Sequence, residues 1–421
     1  MNATVRPQLG ALAYPGWTMA FVAFMSFALT IGPAGSTMPL IYSSVVADFG
    51  WSLTEATLVY TYKNIASAIA TLLLVGPLVA RFGLRHVMIA AFALSGLGML
   101  AYLGVDSKSS YYAAGAIQGV GLAMAVVAAN LLVSRWFHRN QGVALGLALS
   151  GISVGGAVFP LLAEPLIEAL GWRPAMALMS LFIWFVALPL YLWKAREIPT
   201  EEELAQERFA APLIGGLGAG VPAADSGNEV TSVPATASPA FWRIAAALLL
   251  VGVADMAVIQ HMPTLLASEA GFGAEASALG LSILFAFAVV GKVVAGRLYD
   301  RFSLQGMRLW YVLVAVSIAL IIPVVGMMTL ILFAAMRGIA HGGLLPKPAV
   351  LAKHCYGPSQ MEARLPLFLA IWMTGAGIGP TLLAMIYDAT GQYRYGLVLL
   401  VAFCVLAAVL LRVPRRATRI S

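Results

Sequence analysis

The chain has 421 residues, 61% hydrophobic and 10% charged, with a mean hydropathy of +0.89. Soluble domains carry about 25% charged residues, so this composition excludes an ordinary soluble protein and points to a polytopic membrane protein. The net charge of +7 would suit a polyanionic partner, and the placement of the cations argues against one.

Of 25 Lys and Arg, four (Lys63, Lys292, Arg337 and Lys347) lie inside apolar runs. Three more (Lys108, Arg173 and Arg394) lie in one set of connections, and the other 18 lie at the termini or in the alternate set. That asymmetry is the positive-inside signal, with both termini cytoplasmic. The expected surroundings are a lipid bilayer, with no nucleic acid.

Apolar runs of about 20 residues mark the spans. They cover about 17–44, 54–80, 87–105, 111–133, 142–167 and 174–193. Arg81, Arg85 and His86 form the turn after the second, and Arg135, His138 and Arg139 the turn after the fourth. Residues 194–239 break the sequence of spans. Glu201, Glu202, Glu203 and Glu207 stand there with Lys194, Arg196 and Arg208, followed by a tract rich in Ala, Gly and Pro. Such a tract buries no core and reads as a flexible linker.

Six more runs follow at about 242–266, 276–298, 309–325, 328–352, 365–387 and 395–411. The expected fold is therefore all-α, with twelve transmembrane helices. Its units are 1–193, the linker 194–239, and 240–421. Cys355 and Cys404 are too few for a disulfide framework or metal cluster. The first sixteen residues lack the features of a removable signal peptide, so the first span is expected to stay.

An internal repeat supports the division. Gly76-Pro-Leu-Val-Ala-Arg81 aligns with Gly296-Arg-Leu-Tyr-Asp-Arg301, and Gly171-Trp-Arg-Pro with Gly391-Gln-Tyr-Arg. Ala116-Ile-Gln-Gly aligns with Ala335-Met-Arg-Gly, and Ser150-Gly-Ile-Ser-Val-Gly155 with Thr374-Gly-Ala-Gly-Ile-Gly379. Near-equal offsets imply two six-helix bundles of parallel topology, related by an axis along the membrane normal.

These residues resemble the major facilitator superfamily over essentially the whole chain. Its loop 2–3 signature is Gly-x-x-x-Asp-Arg-x-Gly-x-Arg/Lys. Gly76, Arg81, Gly83 and Arg85 match it, with Ala80 in place of the acid. The second copy keeps Gly296, Asp300 and Arg301, with Ser303 in place of the next glycine. The resemblance implies that these residues gate the transporter through charged contacts at helix ends. Lys292-Val-Val-Ala-Gly296 is similar to the Arg-Pro-x-x-Gly stretch of monocarboxylate transporters and oxalate/formate antiporters, where the arginine binds carboxylate. Lys292 and Val293 stand here for its Arg and Pro. Superfamily antiporters carry a Gly-Pro pair on helix 5 that this chain lacks.

Substrate sites in this architecture lie near the midplane. The polar residues at that depth are Tyr62, Lys63 and Asn64 on span 2, Gln118 on span 4, Asp255 on span 7, Lys292 on span 8, and Arg337 and His341 on span 10. Arg337 and His341, four apart, share a helix face. Gln118 and Arg337 are repeat equivalents expected to face each other. Lys63, Lys292 and Arg337 outnumber the single acid Asp255, so an anionic substrate is the simplest occupant, because buried unpaired charge costs several kcal/mol. Arg337 is the better fork for a carboxylate and Lys292 a point charge.

Asp255, paired to Lys63 or Lys292, or else His341, is expected to carry the proton. The chain shows no nucleotide-binding loop, zinc helix or nucleophile elbow, so no enzyme, metal or cofactor is expected. The expectation is a monomeric inner-membrane secondary transporter that moves a small organic anion with protons. The alternatives are proton-driven efflux of amphiphiles and a non-transporting sensor.

Overall fold

The computed structural model describes residues 14–138, 141–209, 239–321, 326–344, 351–352 and 358–411. Among them all regular structure is helical. Nine segments are long and apolar enough to cross a membrane, and two shorter apolar helices accompany them. One of the nine, Leu53–Gly104, is two helices broken at Gly83, whose φ of 80° and ψ of 164° suit a residue without Cβ.

The twelve spans are α1 (Gly16–Phe49), α2 and α3 (53–82 and 84–104), α4 (Lys108–Trp136), α5 (Gln141–Leu170), α6 (Trp172–Lys194), α7 (Pro239–Ala270), α8 and α9 (274–299 and 304–319 of one helical run), α10 (Met327–Gly342), α11 (Pro358–Thr390) and α12 (Tyr393–Leu410). A short helix, Glu201–Phe209, follows α6. Residues 210–238, most of the expected linker, lie outside the described residues, as does Lys347. Span 9 ends earlier than its apolar run suggested, at Ala319, and α10 is described to Gly342.

Local signals set the helix starts. Ser52 and Glu55 form a capping box that opens α2, and Ser107 with Ser110 opens α4. Positive-φ glycines that end helices recur in both halves, Gly50 with Gly271 and Gly171 with Gly391.

Glycines also set the packing, twice over. On α5, a Cβ at Gly151 or Gly155 would collide with the carbonyls of Phe24 and Ala28 on α1. On α11, Gly375 and Gly379 stand in the same relation to Leu249 and Val253 of α7. Likewise Gly119 of α4 rests on the Lys63 carbonyl of α2, and Gly338 of α10 on that of Leu284 in α8. Small residues bring apolar helices into contact where lipid supplies no hydrophobic drive. The repeat read in the sequence is thus a repeat of helix-to-helix contacts.

The two sets of six helices meet along α2–α11, α5–α8 and α1–α7. Hydrogen bonds across this seam are placed unevenly. The face that carries Arg81, Arg85, Arg135 and Arg196 is here called the basic face. At the opposite face Asp388 of α11 accepts from the backbone N–H of Leu53 (3.3 Å) and Thr54 (2.9 Å) and from the Thr54 hydroxyl (2.6 Å). Deeper, the Thr61 hydroxyl donates to the Gly377 carbonyl at 2.6 Å. The Tyr42 hydroxyl donates to Gln260 Oε1 at 2.9 Å. Towards the basic face Lys292 of α8 donates to Leu149 O (3.0 Å) and Ser153 Oγ (2.9 Å) of α5, and among the described residues no hydrogen bond joins the two sets nearer that face.

Candidate functional site

The centre of the site is a buried ionic cluster between α7 and α10. Asp255, mid-way along α7, is fully buried, as is Arg337 on α10. Arg337 Nη2 donates to Asp255 Oδ1 and, at 3.0 Å, to the Asp255 backbone carbonyl. One turn on, His341 Nδ1 lies 2.8 Å from Asp255 Oδ2. An ionised carboxylate only accepts, so Nδ1 carries the proton of that bond and Nε2 lies outside it. The four-residue spacing that put Arg337 and His341 on one face therefore delivers both to one acid.

That acid satisfies Arg337 only in part. Its Nε and Nη1 donors are buried without a partner. Buried donors left unpaired cost about 1–3 kcal/mol each, more on a charged group. An ionised guanidinium with spare donors is chemically suited to receive an anion.

Lys63 supplies a second buried cation from α2, only 4% exposed. Its Nζ donates to the Ala34 carbonyl at 2.9 Å and stands 4.4 Å from the centre of the Tyr60 ring. Ala34 belongs to a π-helical stretch of α1, Gly32–Ser36. Such stretches loosen the backbone ladder and are frequent at functional sites. The Tyr60 hydroxyl reaches across the seam to Met256 Sδ at 3.4 Å, beside Asp255.

The expected pairing of Asp255 with Lys63 or Lys292 is corrected. Asp255 spends both oxygens on Arg337 and His341, and Lys63 is held by a carbonyl and a ring. Lys292, half-buried on α8, donates to Leu149 O (3.0 Å) and Ser153 Oγ (2.9 Å) of α5, away from Asp255.

The remaining polar candidates separate. Asn64 donates to its own helix at Tyr60 O (2.8 Å) and packs its Cβ near Gly377 of α11. Gln118 is buried against Gly98 of α3 with neither side-chain atom partnered, and no contact joins it to Arg337. Tyr62 is 47% exposed, stacks on Tyr112, and shares an outward stripe with exposed Ile65 and Ile69. It leaves the site because its helix face is the apolar outer one.

At the basic face the first copy of the loop 2–3 signature meets a carboxylate from outside the motif. Gly76 has open space around it, and Arg81 lies beside the Phe82 ring. Gly83 makes the turn. The Arg85 backbone N–H donates to Glu197 Oε1 at 2.7 Å, and Arg135 Nη1 lies 3.4 Å from Glu197 Oε2. Glu197, just beyond α6, thus brings to the turn at Gly83 a carboxylate that Ala80 does not supply. In the second copy Gly296 also has open space and Arg301 is exposed beside Phe302. The side chain of Asp300 lies outside the described residues.

Glu197 carried no sequence signal, since it sits in a charged run with no fixed spacing to the motif. Tyr60 did carry one, an aromatic ring one turn before a buried lysine.

The sequence profile of the Major Facilitator Superfamily matches residues 16–329. The chain belongs to that superfamily. It is a multi-pass membrane transporter and not an enzyme. It is 26% identical to monocarboxylate transporter 13 of Rattus norvegicus, over 96% of this chain and 90% of that protein. It is 25% identical to the MFS transporter asaE of Aspergillus flavus, over 76% of this chain and 69% of that protein. Among solved structures it is similar to a bacterial homologue of the human lysosomal transporter Spinster in an inward-facing, unoccupied conformation. The TM-score is 0.69 at 16% identity, covering 95% of this chain and 96% of that one. This likeness bears on the superfamily fold alone.

Proposed function

We propose that this superfamily member carries a small organic anion, a carboxylate, across the cell inner membrane together with protons. The observation that carries the reading is Arg337, fully buried and ion-paired to Asp255 yet with Nε and Nη1 unpartnered. Similarity to monocarboxylate transporters along nearly the full chain supports the same ligand chemistry.

In this reading Arg337 is the anchor. Asp255 holds the guanidinium so that its spare donors meet the carboxylate. Lys63 supplies the net positive charge that Asp255 does not cancel, and Asn64, beside Gly377 of α11, flanks the path. A proton enters at His341 Nε2 while Nδ1 stays on Asp255. The added charge favours the anion beside it, which couples the two loads.

Alternating access then exchanges the contacts at the two faces. The Asp388 cap on α2 closes the face opposite the basic one, and Lys292 ties α8 to α5 at intermediate depth. Gly76, Arg81, Gly83, Arg85, Gly296, Asp300 and Arg301, with Glu197, form the gate at the basic face. That face is assigned to the cytoplasm together with both termini, and 194–239 links two bundles of a protein that works as a monomer.

Uptake of radiolabelled monocarboxylates into proteoliposomes, with and without an imposed pH gradient, tests the reading. Accumulation driven by an acidic exterior and lost in the folded Asp255→Asn/Arg337→Gln double variant is the expected result. Absence of flux for every carboxylate, with efflux of lipophilic cations instead, overturns it.

A further inference from the structure

A continuous line of contacts joins the first six helices to the anion anchor through one aromatic ring. Gly156 of α5 faces α8, where a Cβ would stand 2.5 Å from Phe285 Cγ. Its neighbours Gly151 and Gly155 face α1 instead. Phe285, 9% exposed, meets the His341 imidazole edge-to-face, with centroids 5.8 Å apart and planes at 88°. His341 in turn holds Asp255, and Asp255 holds Arg337.

Each link is tight. An edge-to-face ring pair has a narrow preferred geometry. The glycine admits the Phe285 ring at full contact with the α5 backbone, leaving it little room to retreat. The α5–α8 seam is one of those along which the two bundles meet, so motion of one bundle past the other changes what backs the ring. Small displacements at packed contacts become discrete switches because close-packed interfaces do not deform continuously.

We infer that Phe285 is a positioning residue for His341, backed by Gly156, and that it ties proton loading at His341 to the relative position of the two bundles. The inference rests on the reading of His341 as the proton site. With α5 and α8 in contact, Phe285 pins the imidazole with Nδ1 on Asp255. With α5 withdrawn, the ring is released and the imidazole can turn from Asp255. The anion anchor is left in place, because Arg337 keeps its own bonds to Asp255.

The groups that face His341 leave room for such control. From α7 comes Asp255, and from its own helix Arg337 one turn back. Besides Phe285, α8 carries Lys292, which is turned to Leu149 and Ser153 of α5, and Tyr299, whose hydroxyl donates to Gly343 O at 2.7 Å. From α9 the Trp310 indole donates to the Ala340 carbonyl at 2.9 Å. Across the seam, Tyr60 of α2 lies near Asp255. Among the described residues the imidazole is therefore set by the Asp255 carboxylate and the Phe285 ring.

The test uses the full-length protein carrying ring-labelled histidine, with the His341 signal assigned by its loss in His341→Gln. Its NMR titration midpoint is compared in the parent, Phe285→Leu, Phe285→Tyr and Gly156→Ala, alongside binding of acetate and lactate. We expect Phe285→Leu to move the midpoint by about one pH unit, a tenfold change in proton affinity, and Phe285→Tyr to restore it. Carboxylate affinity in Phe285→Leu should stay within about twofold. Gly156→Ala should shift the midpoint as well, by pushing the ring towards His341.

An unchanged midpoint in Phe285→Leu overturns the inference. So does a shift that Phe285→Tyr fails to restore, which marks simple loss of packing. A titrating His341 in a protein that binds no carboxylate sinks the proposed function and leaves the role of Phe285 readable. A His341 that never titrates sinks both.

Discussion

Glu197 and Arg135 meet at the basic face, with 3.4 Å between carboxylate and guanidinium, while the other Glu197 oxygen takes the Arg85 N–H. The turn at Gly83 thereby receives the negative charge that Ala80 does not provide. Glu197→Ala should slow transport about fivefold, since a partly exposed pair of this kind contributes about 1 kcal/mol. Anion affinity should stay unchanged. Adding Ala80→Asp to Glu197→Ala should recover most of the rate. Initial-rate transport assays check this, and failure of the second substitution to recover activity would mean that the loss has another cause.

The strand of chain after Glu197 is fastened separately. Arg196 pairs with both oxygens of Glu203, at 2.8 and 3.1 Å, and the Thr200 N–H donates to the same carboxylate at 2.8 Å. The Thr200 N–H first, and then Arg196, hold the Glu203 carboxyl below its ordinary range. A depressed carboxyl contributes stability above its unfolded-state pKa and loses it as pH falls through the folded value. Protection of amides in 200–204 from hydrogen exchange, corrected for intrinsic rates, should therefore be full near neutrality and fade on acidification. Glu203→Gln should remove the pH dependence.

At the far face, Asp388 acts as an N-cap supplied by another helix. Loss of a cap costs about 0.5–2 kcal/mol, and here the cost falls only on the state in which α2 and α11 meet. Asp388→Ala should thus raise the population open at that face by roughly 2- to 30-fold. Spin labels at exposed Ser109 and Gln392 should show a larger long-distance fraction in Asp388→Ala. An unaltered distance distribution would show that the cap does not hold the bundles together.

The buried pair gives a reciprocal test. Removing one partner of a buried ion pair costs about 3–5 kcal/mol because the other is stranded. Asp255→Asn and Arg337→Gln, each alone, should yield poorly folded protein. The pair Asp255→Asn with Arg337→Gln should regain most of the thermal stability and none of the transport. Strict additivity of the single losses would deny that the two residues are coupled.

The spans, their number and the repeat were legible in the sequence because each rests on a strong local signal. Apolar length, helix-end glycines and the recurrence of Ser150–Gly155 as Thr374–Gly379 are examples. The choice of Arg337 and His341 as partners on one face was legible from their spacing. Which cation Asp255 takes was not, since the contest among Lys63, Lys292 and Arg337 turns on how the helices rotate. Lys292 is diverted by the Ser153 hydroxyl on α5, and Lys63 by the Ala34 carbonyl in a π-helical stretch. Tyr62 looked like Lys63 in the sequence, and one residue of rotation put it on the outer face. Glu197 was hidden because its partners lie 62 and 112 residues away.

The central claim is that Arg337 receives a carboxylate through the donors that Asp255 leaves free. Its most direct test is thermal stabilisation of the purified protein by a panel of monocarboxylates. The Asp255→Asn/Arg337→Gln protein serves as a folded control. Ligand at about a hundred times its Kd should stabilise the parent by about 2.7 kcal/mol, seen as a rise in Tm with at least one carboxylate and no change in the control. Equal stabilisation of both proteins would contradict the account.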